Sequence, residues 1–141
     1  IAQAARPAGP APLLEIEQPV NEFFRGGYFG DIVNNLKHTG GEFSEACLKK
    51  LARSSPLAMA ATIELIHRVR GLDDIVLALG MEYRFTYRAA EQGDFIEGIR
   101  AMVIDKDKCP KWRHAMTDPL LPAASAMLRP LGPHSLDLTE N

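Results

Sequence analysis

Residues 55–71 read Ser-Pro-Leu-Ala-Met-Ala-Ala-Thr-Ile-Glu-Leu-Ile-His-Arg-Val-Arg-Gly, and this stretch carries the signals for both ends of a helix. Ser55 supplies the side-chain oxygen that an N-cap needs. Pro56 suits the first helical position, where its missing N–H costs nothing. Gly71 closes the run just beyond Arg68 and Arg70. Between these ends Met59, Ile63, Ile66 and Val69 recur at helical spacing and form an apolar seam.

The same period extends in both directions. Upstream, Pro19 opens a short helix carrying Phe23 and Phe24, and Gly26–Gly27 break it. Tyr28 to Lys37 then places Phe29, Ile32, Val33 and Leu36 on one stripe, and Gly40–Gly41 end that helix. Phe43 to Arg53 sets Ala46, Cys47, Lys50 and Leu51 at helical spacing. Downstream, Asp73 and Asp74 favour the positive end of a helix whose stripe includes Val76, Leu79, Tyr83 and Tyr87, stopped by Gly93. Asp94 and Glu97 have capping-box spacing for a helix with Phe95, Ile99, Met102 and Val103. The segment from Lys106 to Trp112 is turn-like because Pro110 blocks a helix. Asp118–Pro119 starts a last helix that runs to about Arg129. No stretch alternates as a strand does, so the expected fold is all-α, several short antiparallel helices. Residues 1–18 read as an Ala/Pro-rich tether, 19–129 as the helical region and 130–141 as a tail.

The chain has 141 residues, 46% of them hydrophobic and 24% charged, which suits one globular unit. Its 16 basic and 18 acidic residues leave a net charge of −2, no field to hold nucleic acid. No apolar run approaches the ~20 residues that span a bilayer, so a membrane partner is not expected either. Two cysteines, Cys47 and Cys109, lack disulfide-framework and metal spacing, and a reducing compartment is the default. The first methionine is Met59, and the chain starts at Ile1, so a processed chain or a piece of a longer one is expected.

Side chains with chemical potential find ordinary employment. His38, His67, His114 and His134 are scattered, and no metal site is expected. Gly26, Gly27 and Gly30 follow a helix-like run rather than the strand a phosphate loop requires. No serine lies in a nucleophile elbow. Cys109 sits between Lys108 and Lys111, which favour a thiolate, but an exposed turn cysteine is the plainer reading. Asp73–Asp74 and Asp94/Glu97 are placed as helix caps, and Asp105 and Asp107, alternating with Lys106 and Lys108, read as a solvated charge run. The basic set Arg100, Lys106, Lys108, Lys111 and Arg113 with Trp112 has the charge and the aromatic face that a nucleotide-bearing ligand would use.

The order of certain segments is more particular. Met81-Glu82-Tyr83-Arg84, then Gly93-Asp94-Phe95-Ile96-Glu97-Gly98-Ile99-Arg100-Ala101, then Ile104-Asp105-Lys106-Asp107 and Pro110-Lys111-Trp112 resemble the 3-hydroxyisobutyryl-CoA hydrolase branch of the enoyl-CoA hydratase/isomerase (crotonase) superfamily. The resemblance extends to Ser54-Ser55-Pro56 and Leu131-Gly132. It implies that this chain is the C-terminal helical region of a crotonase-like α/β protein whose ββα core is absent here. The implied activity of the intact protein is acyl-CoA thioester hydrolysis in valine breakdown, with acyl-CoA as substrate and no separate cofactor. Oxyanion-hole donors and catalytic carboxylates would lie upstream, so no catalytic residue is expected in this chain and the chain alone is expected to be inactive. By the same analogy Arg100, Lys106, Lys111 and Trp112 are the CoA-binding or interface residues. Expected partners are the N-terminal crotonase core and further copies of the chain, in bacterial cytoplasm or mitochondrial matrix. Three other readings stand beside this one: an enoyl-CoA hydratase/isomerase, a non-catalytic crotonase-like subunit that docks in an assembly, and an independent helical module using Phe23, Phe24, Tyr28 and Phe29 as an exposed aromatic cluster.

Overall fold

A computed structural model describes residues 9–138. Among these residues eight α-helices follow in order: α1 Pro12–Glu15, α2 Glu17–Phe23, α3 Phe29–Thr39, α4 Gly41–Leu51, α5 Pro56–Val69, α6 Ile75–Ala89, α7 Phe95–Ile99 and α8 Leu121–Met127. A π-helical turn, Arg100–Ile104, continues α7, and a 3₁₀ turn, Gly132–His134, follows α8. Among the described residues there is no β-strand.

The ends of α5 form as the sequence dictates. Ser55 Oγ accepts from the Ala58 N–H at 3.1 Å, Pro56 opens the first turn, and Gly71 takes a φ of +83° in the left-handed region. Asp74 caps α6 in the same way, accepting from the Leu77 N–H at 3.0 Å. The core joins α3, α5 and α8 through Phe29, Val33, Ala60, Ala61, Leu120 and Ala124. Three alanines at the crossing let α5 and α8 approach closely, and the two make the most extensive helix contact of the fold. The stripe of α3 is buried throughout, ending on Leu36, which is fully enclosed.

Two arginines of α6 bind the C-terminal end of α8. Arg88 donates to the carbonyls of Met127, Arg129 and Pro130 at 2.8–3.2 Å, and Arg84 donates to Leu128 O at 3.3 Å. A helix end leaves such carbonyls without intrahelical donors, and its dipole favours a cation there. This explains why Arg84 and Arg88 recur one turn apart on α6.

Several expectations are corrected. Helix begins at Pro12, seven residues before Pro19, within the stretch read as a tether, while residues 1–8 lie outside the described residues. The last helix starts at Leu121 rather than at Asp118–Pro119, because the Asp118 carboxylate turns back to accept from the Ala115 N–H. Within the stretch read as a tail, His134 stacks on Tyr87 at 5.6 Å between ring centroids. Of the α6 stripe, Val76, Leu79 and Tyr87 are exposed and Tyr83 is half-buried, so the stripe does not enter the core. The aromatic cluster near residue 25 is divided: Phe29 is buried in the core, Phe23 packs on Phe43, and only Phe24 and Tyr28 are exposed. The independent-module reading therefore loses its contiguous patch.

Candidate functional site

Helix α7 and its π turn carry most of what the sequence marked. Asp94, just before α7, caps nothing with its side chain. It accepts from Ser55 Oγ at 2.5 Å and from the Arg113 N–H at 3.0 Å, and is 7% exposed. The α5 start, the α7 start and the loop bearing Trp112 thus meet on one carboxylate. The capping-box expectation fails because both of its members have more distant partners.

Glu97 is the second member. Its carboxylate takes two hydrogen bonds from Arg100, at 2.7 and 2.8 Å, and one from the Lys111 N–H at 2.6 Å. Arg100 also reaches Asp105 at 2.6 Å, Asp107 at 2.7 Å and the Cys109 carbonyl at 3.2 Å. One guanidinium, flanked by three carboxylates, pins the whole segment that follows the π turn. The Arg100 bonds, helped by the Lys111 N–H, hold Glu97 down at about 2. Arg100 and the Cys109 N–H likewise lower Asp107, and the surrounding carboxylates raise Arg100.

Asp105 and Asp107 are exposed, as a solvated charge run would be, but both are paired with Arg100. The segment curls because Lys106 and Lys108 both adopt a φ of +56°. This places alternate acids on Arg100, and the lysines make no ion pair with a described residue. Of the residues expected to meet a phosphate, Arg100 is occupied by carboxylates, while Lys106 and Lys111 remain exposed with Lys108 beside them. Glu97 and the two aspartates are partners of Arg100 that the sequence reading does not mark. The Glu-x-x-Arg spacing of residues 97 and 100 was the available signal.

Trp112 lies over Gly98, where a side-chain carbon would sit 3.7 Å from the indole. Beside it opens an apolar cradle of about 370 Å³, lined by Phe85, Ala89, Phe95, Ile99, Met102 and Trp112 and bordered by Ser55 and Asp94. The cradle continues into an uncovered rim: Phe95, Ile96, Met102, Val103 and Ile104 are each 57–69% exposed. Five large apolar residues on one ten-residue helix form the kind of patch that another surface or ligand covers.

Residues 1–126 match the sequence profile of the enoyl-CoA hydratase/isomerase family, and the chain belongs to that family. Its relatives narrow the comparison. The chain is 34% identical over 106 residues to a mitochondrial 3-hydroxyisobutyryl-CoA hydrolase from Danio rerio, covering 74% of this chain and 27% of the relative. The Gallus gallus protein of the same name is 30% identical over 129 residues, covering 89% of this chain and 33% of the relative. A solved enoyl-CoA hydratase from Rhodobacter sphaeroides 2.4.1 superposes with a TM-score of 0.85 at 40% identity, over 97% of this chain and 42% of that one. The chain thus spans between a quarter and a half of each of these three proteins. No helix among the described residues is long and apolar enough to cross a membrane.

Proposed function

We propose that this chain is the C-terminal helical region of an acyl-CoA thioester hydrolase resembling 3-hydroxyisobutyryl-CoA hydrolase. The observation that carries the reading is the cradle with its bare rim on residues 95–104, which is apolar surface prepared for a larger body. The curated relatives, three to four times as long as the matched region, supply candidates for that body. In this reading the remainder of the polypeptide polarises the thioester carbonyl with hydrogen bonds, since negative charge develops on that oxygen during attack by water. A carboxylate there activates the water or attacks the acyl carbon itself. The present helices cover the site and exclude solvent.

The loop at residues 105–112 supplies cations. Arg100 acts as its fastener, and Lys106, Lys108 and Lys111 are the groups available to CoA phosphates, with Trp112 fixing the loop on Gly98. A double substitution, Lys106→Ala with Lys111→Ala in the protein at the length its gene encodes, raises the KM for acyl-CoA. An unchanged KM and unchanged free-CoA inhibition discard that assignment.

One observation favours a second reading, hydration of a double bond: the solved protein at 40% identity is titled an enoyl-CoA hydratase. The two reactions separate in one experiment. Incubating the gene-length protein with 3-hydroxyisobutyryl-CoA and, separately, with an enoyl-CoA, while following thiol release and loss of enoyl absorbance, decides between them. Thiol release supports hydrolysis. Loss of the enoyl chromophore without thiol release supports hydration and overturns the first reading. The Danio rerio and Gallus gallus relatives are named as mitochondrial, which supports mitochondria rather than bacterial cytoplasm as the compartment in this reading.

A further inference from the structure

We propose that residues 94–113 form a rigid flap that swings on Asp94, so that α5 and α6 open and close against it. Both ends of the segment meet on that carboxylate. Asp94 begins it, and the Arg113 N–H at the far end returns to donate to Asp94 Oδ1 at 3.0 Å. The other oxygen, Oδ2, accepts from Ser55 Oγ at 2.5 Å, and Ser55 is held in turn as the N-cap of α5. A segment closed at its base by one side chain, and tied through that side chain to the helical body, has the geometry of a flap on a pivot.

Inside the segment the parts are locked together. Arg100 binds Glu97, Asp105, Asp107 and the Cys109 carbonyl, and the Lys111 N–H donates to Glu97. The Lys108 N–H donates to Ala101 O at 3.0 Å, and Trp112 lies over Gly98. These ties run from the helix of the segment to its loop, so it moves as one piece. Between segment and body the picture is the reverse. Helix α7 and its π turn pack extensively on each other but only sparsely on α5, α6 and α8. The cradle of about 370 Å³ lies between them: Ala58, Phe85 and Ala89 line it from the body, and Phe95, Ile99, Met102 and Trp112 from the segment. Sparse packing is the mark of a part that is displaced at low cost. At Gly93, just before the pivot, a side-chain carbon would come within 2.9 Å of the Ala89 carbonyl, so glycine lets the base of the flap sit close against the end of α6.

Trp112 supplies an independent observation. Its indole Nε1 is buried and finds no acceptor among the described residues. A buried donor left unpaired costs about 1–3 kcal/mol, so a second position of the flap that pairs it gains that much. The apolar rim at residues 95–104 belongs to the flap, and in the reading above the rest of the polypeptide covers that rim. The swing then opens and closes α5 and α6 over the acyl-CoA site. This purpose rests on that reading, while the pivot rests on the geometry alone.

The test uses the protein at the length its gene encodes, with every cysteine except Cys109 replaced and Lys49→Cys added. Spin labels on Cys109, exposed on the flap, and on the introduced thiol, exposed on α4, report the distance between flap and body. Pulsed dipolar spectroscopy is expected to give two distances. Asp94→Asn, which weakens the pivot, is expected to change their ratio about threefold or more. The Cys109 and Lys111 N–H groups, bonded to Asp107 and Glu97, are expected to stay protected from hydrogen exchange, because the flap swings without melting. A single distance overturns the proposal. So do two distances with free exchange at Cys109 and Lys111, which would mean local unfolding, and so does a ratio that Asp94→Asn leaves unchanged. If Asp94→Asn does not fold, the number of distances and the amide exchange with Asp94 in place decide. Thiol release, followed separately, tests the thioester reading and can fail without altering any of these results.

Discussion

Substituting Asp94 by alanine probes the junction on which the site depends. The carboxylate accepts from Ser55 Oγ at 2.5 Å and from the Arg113 N–H at 3.0 Å while only 7% exposed. Removing it orphans two donors. A buried donor without an acceptor costs about 1–3 kcal/mol. The Ser55 hydroxyl is half-buried and bears most of that cost. Arg113 is exposed, so its N–H recovers a water and contributes only the ~1 kcal/mol of a lost hydrogen bond. The expected loss is about 2–3 kcal/mol, and Asp94→Asn, which keeps the shape and one good acceptor, should lose about half of that. The one tryptophan of these 141 residues, Trp112, neighbours Arg113 and reports both stability and local geometry when the 141-residue chain is unfolded. Urea unfolding followed by its emission gives the free energies, and the emission before the transition shows whether the loop has moved. A loss below ~0.5 kcal/mol with unchanged native emission refutes the reasoning, as does an asparagine variant no better than alanine.

Further outcomes follow from the ion pairs and the helix end. Glu97 titrates near 2 in the folded chain against an ordinary value of 4.5, so its contribution is complete above pH 4.5 and lost as pH falls through about 2. Trp112 emission of the folded chain should accordingly change near pH 2; a change centred at pH 4.5 means that Arg100 does not hold Glu97. Asp107 shifts in the same direction for the same reason, and Asp107→Asn should loosen the loop at neutral pH, read as faster amide exchange at Cys109. Arg88→Met removes the cation from the α8 end and should cost about 2 kcal/mol, several degrees in melting temperature, with little effect on Trp112 emission. A neutral Arg88→Met would show that the α8 carbonyls are satisfied by water instead.

The legible parts of this fold were those written in local chemistry. Ser55-Pro56 and Gly71 state the ends of α5, and the α3 stripe from Phe29 to Leu36 is buried as its period implies. What was illegible depended on partners distant in sequence. Asp94 and Glu97 have capping-box spacing, but Ser55 lies 39 residues away and Lys111 lies 14, so the competing acceptor roles do not appear in the local pattern. The pairing of Asp105 and Asp107 with Arg100 was hidden because the left-handed turns at Lys106 and Lys108 that aim them there are unusual for lysine. The α6 stripe has core periodicity and stays outside the core, since hydrophobic spacing shows that a face will be covered without showing by what. Of the candidate site, Trp112 and the lysines were visible as a basic, aromatic segment. Arg100 was visible as a cation but not as a fastener.

The claim beneath all of this is that the rim at residues 95–104 is a covered surface of a larger protein. Val103, 62% exposed in this chain, gives the most direct test. With Cys47, Cys109 and every cysteine of the remaining polypeptide replaced, Val103→Cys is labelled with a thiol reagent in the 141-residue chain and in the protein at the length its gene encodes. Rapid labelling of the chain alone and strong protection in the gene-length protein are expected. Equal, rapid labelling in both would contradict it.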